Sequence, residues 1–147
     1  MERFFQKISL PFSRFAIFLV YFWFGILKVF DESPANPLVS ELLGRTMPFM
    51  SFETFIICFG IFEMLIGILF LVPKFTKPVM LLLAAHLAMI TMPLFLLPEV
   101  AWQGFLVPTM EGQYIIKNIL IVAAAIFIFA FNGKNSIWQS STSSQPR

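Results

Sequence analysis

"FETFIICFGIFEMLIGILFLVP", Phe52 to Pro73, is the stretch on which the reading of this chain turns. Apart from Glu53, Thr54 and Glu63 it is apolar from Phe52 to Val72. A helix needs about 20 such residues to cross about 30 Å of hydrocarbon. A strand reading fails, because the residues do not alternate and barrel strands span with only about 9–11 residues. The segment therefore reads as a membrane-spanning helix with a carboxylate inside it. From Glu53 to Glu63 the helix rises about 15 Å, which puts Glu63 near mid-bilayer. A carboxylate there cannot reach water; it must be protonated, paired or exposed to a cavity.

The composition agrees. The chain has 147 residues, 59% hydrophobic and 12% charged, with a mean hydropathy of +0.85. Soluble domains are about 45–50% apolar and about 25% charged. Twenty phenylalanines suit a hydrocarbon surrounding. Three further segments match the first in length, so the spans run at about 12–30, 52–72, 78–97 and 114–131. The predicted fold is all-α: an integral membrane four-helix bundle, antiparallel, occupying residues 1–131 as a single domain. The polar segment 132–147 reads as a flexible cytoplasmic tail. The first span reads as retained and not as a cleaved signal peptide, since its bulky "FLVYFWFGILKVF" offers no small-residue cleavage site.

Lysines and arginines orient the bundle. Arg3, Lys7, Arg14, Lys74, Lys77, Lys134 and Arg147 flank one side, against Arg45 on the other. Positive-inside bias then places both termini in the cytoplasm and the two longer loops outside. The topology suits a multi-pass protein of a bacterial inner membrane. No basic cluster points to nucleic acid. Cys58, the single cysteine, excludes an internal disulfide and any CxxC pair. In the first loop "NPLVSELLGR" predicts a surface helix with Leu38, Leu42 and Leu43 facing inward. In the second, Trp102 and Phe105 suit the interface.

The polar residues inside the spans are the candidates for chemistry. Arg14, Tyr21 and Lys28 recur at intervals of seven, with Gly25 on the same face at 100° per residue. Arg14 is expected to snorkel toward its interface; Lys28 either snorkels or turns into the bundle. Glu63 is flanked by Gly60 and Gly67, small residues that let another helix of the bundle, or of a second copy, approach closely. His86, the lone histidine, lies at a matching depth on the next helix, so the two can meet. Glu63 is then either an interhelical hydrogen-bonding group or a functional carboxylate, and His86 either a satisfied core residue or its partner. Two ligands are too few for a metal, and Met80, Met89 and Met92 read as filler.

Lys117 raises a separate question. It stands in "EGQYIIKNIL", at the start of the fourth span, where the helix dipole disfavours a cation. Lys28, Asp31, Glu32, Glu53, Glu99 and Glu111 lie near the same level. The expectation is that Lys117 turns inward and shares Glu53 with Lys28, with Tyr114 and Asn118 extending the polar set.

The succession "GILKVF", "NPLV", "FGIFEMLIGILFL", "TMPLFLLPEVAW" and "PTMEGQYIIKNILIV" resembles the DoxX-like superfamily. Within it the likeness is to the branch of reactive-chlorine-resistance membrane proteins, and it covers about residues 15–131. Its most specific residues are Lys28, Glu63 and the Gly112-Gln113-Tyr114 to Lys117-Asn118 opening. The resemblance implies a four-helix inner-membrane protein. One branch includes the small subunit of a thiosulfate:quinone oxidoreductase, and others are tied to oxidant resistance. Two expectations follow. One is quinone-linked redox or oxidant-stress defence, with Glu63 and His86 handling protons. Lys28, Lys117, Glu53, Tyr21, Tyr114 and Asn118 would then surround a quinone or small anionic ligand. The other is a non-enzymatic carrier, or an accessory subunit of a membrane complex that binds a partner subunit or a second copy. No motif specifies a flavin, haem or quinone site.

Overall fold

The computed structural model describes the backbone of residues 1–142 and, except at positions 2, 3, 6 and 133–142, their side chains. In chain order the helices are α1 (Glu2–Val29), α2 (Asn36–Thr46), α3 (Phe52–Leu71), α4 (Thr76–Thr91), α5 (Pro93–Leu96), α6 (Pro98–Ala101), α7 (Met110–Lys117) and α8 (Ile119–Thr142). A 3-10 turn, Pro73–Phe75, joins α3 to α4, and a small hairpin pairs β1 (Trp102–Gly104) with β2 (Val107–Pro108). Four stretches are long and apolar enough to span a membrane: Lys7–Val29, Phe52–Leu71, Pro73–Leu96 and Met110–Asn132.

The caps explain where the spans stop. α1 ends because Asp31 adopts φ 59°, a left-handed conformation open to Asp. The Glu32 amide then donates to the Leu27 carbonyl at 2.8 Å, and the Asn36 amide holds the Asp31 carboxylate at 2.6 Å. Ser51 caps α3 through the Thr54 amide, and Thr109 caps α7 through that of Gly112.

α3 is the central helix: 39% of its apolar window is buried, against 17–22% for the other three spans. The rest of each window faces outward, as expected of surfaces in contact with lipid. Since lipid tails are as apolar as leucine, such helices associate through close packing and hydrogen bonds. α1 and α3 supply the packing by crossing at Gly25 and Gly60. A methyl group on either would lie 2.6 Å from the other's carbonyl oxygen. Gly67 extends the seam, its Cα face lying against the Phe18 carbonyl. The glycine face of α3 therefore meets α1 of the same chain. Below the crossing, Ile17, Ile66, Phe70, Val79, Leu83, Ala125 and Ile128 close a core drawn from α1, α3, α4 and α8.

α2 is the surface helix expected from "NPLVSELLGR", with Leu43 buried and Leu38 and Leu42 half-buried. Arg45 ties it to the second loop through the Glu99 carboxylate and the Leu96 carbonyl.

The structure departs from expectation in four places. α1 begins at Glu2 instead of near residue 12. The third span is interrupted at Met92, and Pro93, which cannot donate a backbone hydrogen bond, opens a separate short helix. The fourth divides at Asn118, where Ile121 bonds the Asn118 carbonyl, three residues back instead of four. α8 stays helical to Thr142, beyond the expected end at Phe131. The side chains from 133 on, and all of 143–147, lie outside the described residues, and with them most of the expected tail.

Replacing Gly60 with leucine should prevent the α1–α3 crossing. Overpacking costs typically about 1–3 kcal/mol, and more where backbone blocks the new group. Thermal unfolding in detergent should show a large loss for Gly60→Leu. Gly44→Ala, which has nothing within 4 Å, should unfold like the parent.

Candidate functional site

At the crossing of Gly25 and Gly60 the two helices run in opposite directions, so Lys28 packs its Cβ against Gly60 and its long side chain reaches back along α3 by one turn, to Glu63. Lys28 and Glu63 meet there: Nζ lies 2.7 Å from Oε2, with each residue 5% exposed. The other carboxylate oxygen, Oε1, lies 2.9 Å from His86 Nε2. On the far side of the imidazole, Nδ1 lies 3.1 Å from the Tyr21 hydroxyl. Four titratable side chains from three helices thus form one hydrogen-bonded chain.

Aromatic rings seal it. Phe59 stacks on the imidazole with centroids 5.1 Å apart and planes at 19°, while Tyr21 meets it edge-on at 5.1 Å. Phe62 closes a third side, and the Lys28 ammonium lies 5.6 Å from the Phe59 centroid. Phe59 and Phe62 were not legible as site residues. Phe59 stands four residues before Glu63 and so shares its face, but among twenty phenylalanines that spacing carries little signal.

One arrangement of protons satisfies every contact. An ionised Glu63 accepts from Lys28 at one oxygen and from a protonated His86 Nε2 at the other. Nδ1 is then free to accept from Tyr21. With the histidine neutral, the ammonium and carboxylate cancel and the cluster carries no net charge. At an effective dielectric of about 20, two charges at 4 Å attract by about 4 kcal/mol, whereas burying each ion costs several kcal/mol. The pair therefore adds little net stability. Breaking it is another matter, since the survivor becomes an uncompensated charge in an apolar interior.

A second polar layer lies at the opposite end of the apolar core. Arg14 is 5% exposed and does not snorkel, contrary to expectation. It donates to the Phe70 carbonyl at 2.7 Å, the Thr76 hydroxyl at 2.8 Å and the Asn132 side-chain oxygen at 3.0 Å. The reason is α3 itself. Its C-terminal carbonyls are left without helical partners, and an arginine fork satisfies them better than water can at that position.

The expected outer pocket does not form. Lys117 is exposed and, among the described residues, makes no ion pair; its ammonium lies 5.1 Å from the ring of Tyr114, itself 63% exposed. The cause is the break at Asn118. Lys117 ends the short helix α7 instead of opening a long one, and a cation in a last turn faces the negative end of the dipole. Glu53 is likewise exposed in the first turn of α3, where the dipole and water accommodate an acid. Lys28 and Lys117 therefore share no carboxylate, and Lys117, Glu53 and Tyr114 stand apart from the buried chain. Asn118, half-buried, lines a groove of about 270 Å³ between α4 and the α7–α8 junction, with Leu87, Ile90, Thr91 and Val122 among its walls. Among the described residues, no group of three or more His, Cys, Asp or Glu could hold a metal.

No family model matches the chain, and neither a curated protein nor a solved structure matches it.

Lys28→Met and Glu63→Gln should each destabilise the protein by about 3–5 kcal/mol by stranding a buried partner. The double variant should cost less than the sum, and Lys117→Met should stay within about 0.5 kcal/mol of the parent. Reversible unfolding in mixed micelles measures all four. Additive losses for the first two would show that the buried pair is not coupled.

Proposed function

We propose that this is a DoxX-like inner-membrane protein acting in quinone-linked redox chemistry or oxidant-stress defence, with a buried proton-handling site. The observation that carries the reading is the unbroken chain from Tyr21 through His86 and Glu63 to Lys28. Each link can shift a proton by a fraction of an ångström without moving a helix. A proton accepted at Nδ1 makes an imidazolium, which the Glu63 carboxylate already faces and stabilises. When Nδ1 carries a proton, the Tyr21 hydroxyl turns to accept from it and holds the imidazolium in place. Lys28 holds the other carboxylate oxygen in place. A quinone reduced by an electron donor outside this chain takes two electrons from that donor and two protons from its surroundings, and these side chains can hold a proton for it at membrane depth.

In this reading the bundle is antiparallel, with both termini cytoplasmic and the α2 and hairpin loops outside. The apolar core below Tyr21 then separates the chain from the cytoplasmic side, and protons exchange by way of Lys28 with the outside. The groove beside Asn118 is where a quinone headgroup enters from lipid, its carbonyl accepting from the Asn118 amide. Lys117 and Glu53 take no part.

A second reading rests on a different feature of the same cluster. Its four residues are only 3–5% exposed and both carboxylate oxygens are occupied, which suits a structural tie in a carrier or an accessory subunit. One preparation separates the two. Protein purified in mild detergent should retain quinone in its lipid extract, and Asn118→Leu should lose it. His86→Gln should retain the quinone but slow its reduction. A parent free of quinone, with no effect of His86→Gln on reduction, would leave the structural tie.

The orientation has its own test. Reporter fusions after Arg45 and after Lys74 should read outside and inside respectively. The reverse pattern would put proton exchange on the cytoplasmic face.

A further inference from the structure

The buried chain around Glu63 balances its own charge; the arginine at the other end of the core does not. Arg14 is only 5% exposed, yet its three hydrogen bonds all go to neutral acceptors. Its Nε–H, also buried, has no partner at all. Among the described residues no carboxylate lies within ion-pair distance of it. A guanidinium held away from water with an idle donor and no counter-charge is a costly arrangement for a protein to leave incomplete.

Among the described residues, the distribution of charge offers Arg14 no acidic partner at this end. Of eight acidic residues, Glu2 alone belongs to this end of the bundle. Glu63 is in the buried chain, and the remaining six lie within 31–53 or 99–111, at the opposite end. Cations are plentiful here, with Lys74 and Lys77 exposed beside the α3–α4 turn. Lys7 is also exposed, and it lies seven residues before Arg14 on α1. Seven residues at 100° each fall 20° short of two turns, so Lys7 projects from the same face about 10 Å further out. The guanidinium sits level with the turn, since Phe70, Thr76 and Asn132 hold it there.

We infer that Arg14 and Lys7 form a binding site for the phosphate of an anionic phospholipid at this end of the bundle. The phosphate oxygen accepts from the unpartnered Nε–H, and Lys7 sits over the outer part of the headgroup. Arginine suits the position because its fork holds the neutral acceptors and an anion at once, which a single ammonium cannot. Bound lipid then becomes part of the clamp that joins α1, α3, α4 and α8. The site is independent of the redox reading, which concerns the other polar layer.

Native mass spectrometry of the full chain in an uncharged detergent tests it. After delipidation, phosphatidylglycerol and phosphatidylcholine are titrated separately, with inorganic phosphate as a third arm. The parent should retain phosphatidylglycerol at least about fivefold better than phosphatidylcholine, and Lys7→Gln and Arg14→Lys should each erase that preference. Lys74→Gln, an exposed cation off the site, should keep it. Displacement of the lipid by millimolar inorganic phosphate would overturn the lipid assignment in favour of free phosphate. Equal retention of both lipids by the parent would overturn the site itself. So would an unchanged preference in Lys7→Gln, a surface substitution that leaves folding intact even where Arg14→Lys does not.

Discussion

A carboxylate in hydrocarbon must be neutralised by its own protein, and around Glu63 that requirement arranges three helices. Lys28 reaches it only because α1 and α3 touch backbone to backbone at Gly25 and Gly60. His86 reaches it only because the Pro73–Phe75 turn returns α4 at matching depth. The glycine crossing and the ion pair therefore depend on each other. Without the crossing, two opposite charges would be stranded in an apolar interior; without the pair, the crossing would bury one of them alone.

The bundle is layered in consequence. A charge-balanced polar chain lies toward the loops, a dry core lies below it, and an arginine clamp closes the end at the α3–α4 turn. Tyr21 belongs to two layers, contributing its ring to the core and its hydroxyl to the histidine. Such an arrangement gathers the four hydrogen-bonded polar side chains at one side of an apolar core. The two polar layers also differ in kind. One satisfies itself; the other is short of an acceptor and of negative charge. That difference supports reading the first as an internal device and the second as a place where something from outside is bound.

Lys117 shows how a sound rule fails on a wrong boundary. A cation in the first turn of a helix is disfavoured, and in the sequence Lys117 stands where a continuous apolar run begins. The break at Asn118 reverses the sign of that argument, because the same residue then ends a helix. Asn is an ordinary helix residue, and nothing local to "YIIKNIL" announces that the ladder is interrupted there. Arg14 failed in the opposite direction. Its distance from the helix end suited snorkelling, and only the free carbonyls of α3, fifty-six residues away in sequence, draw it inward.

What the sequence determined alone follows from period, length and the cost of burying charge. Those are local quantities, and they sufficed for four spans, for a carboxylate at depth in the second, and for the shared face of Arg14, Tyr21 and Lys28. They sufficed even for the meeting of Glu63 with His86, because a three-residue turn leaves neighbouring helices little choice of depth. Partner choice was another matter. That Lys28 takes Glu63 instead of an acid near its own level is decided by the crossing angle and closeness of α1 and α3. That Arg14 faces inward is decided by where α3 ends against it. Each is a fact about how helices pack, and the chain carries it only as glycines and unsatisfied carbonyls whose partners the fold selects.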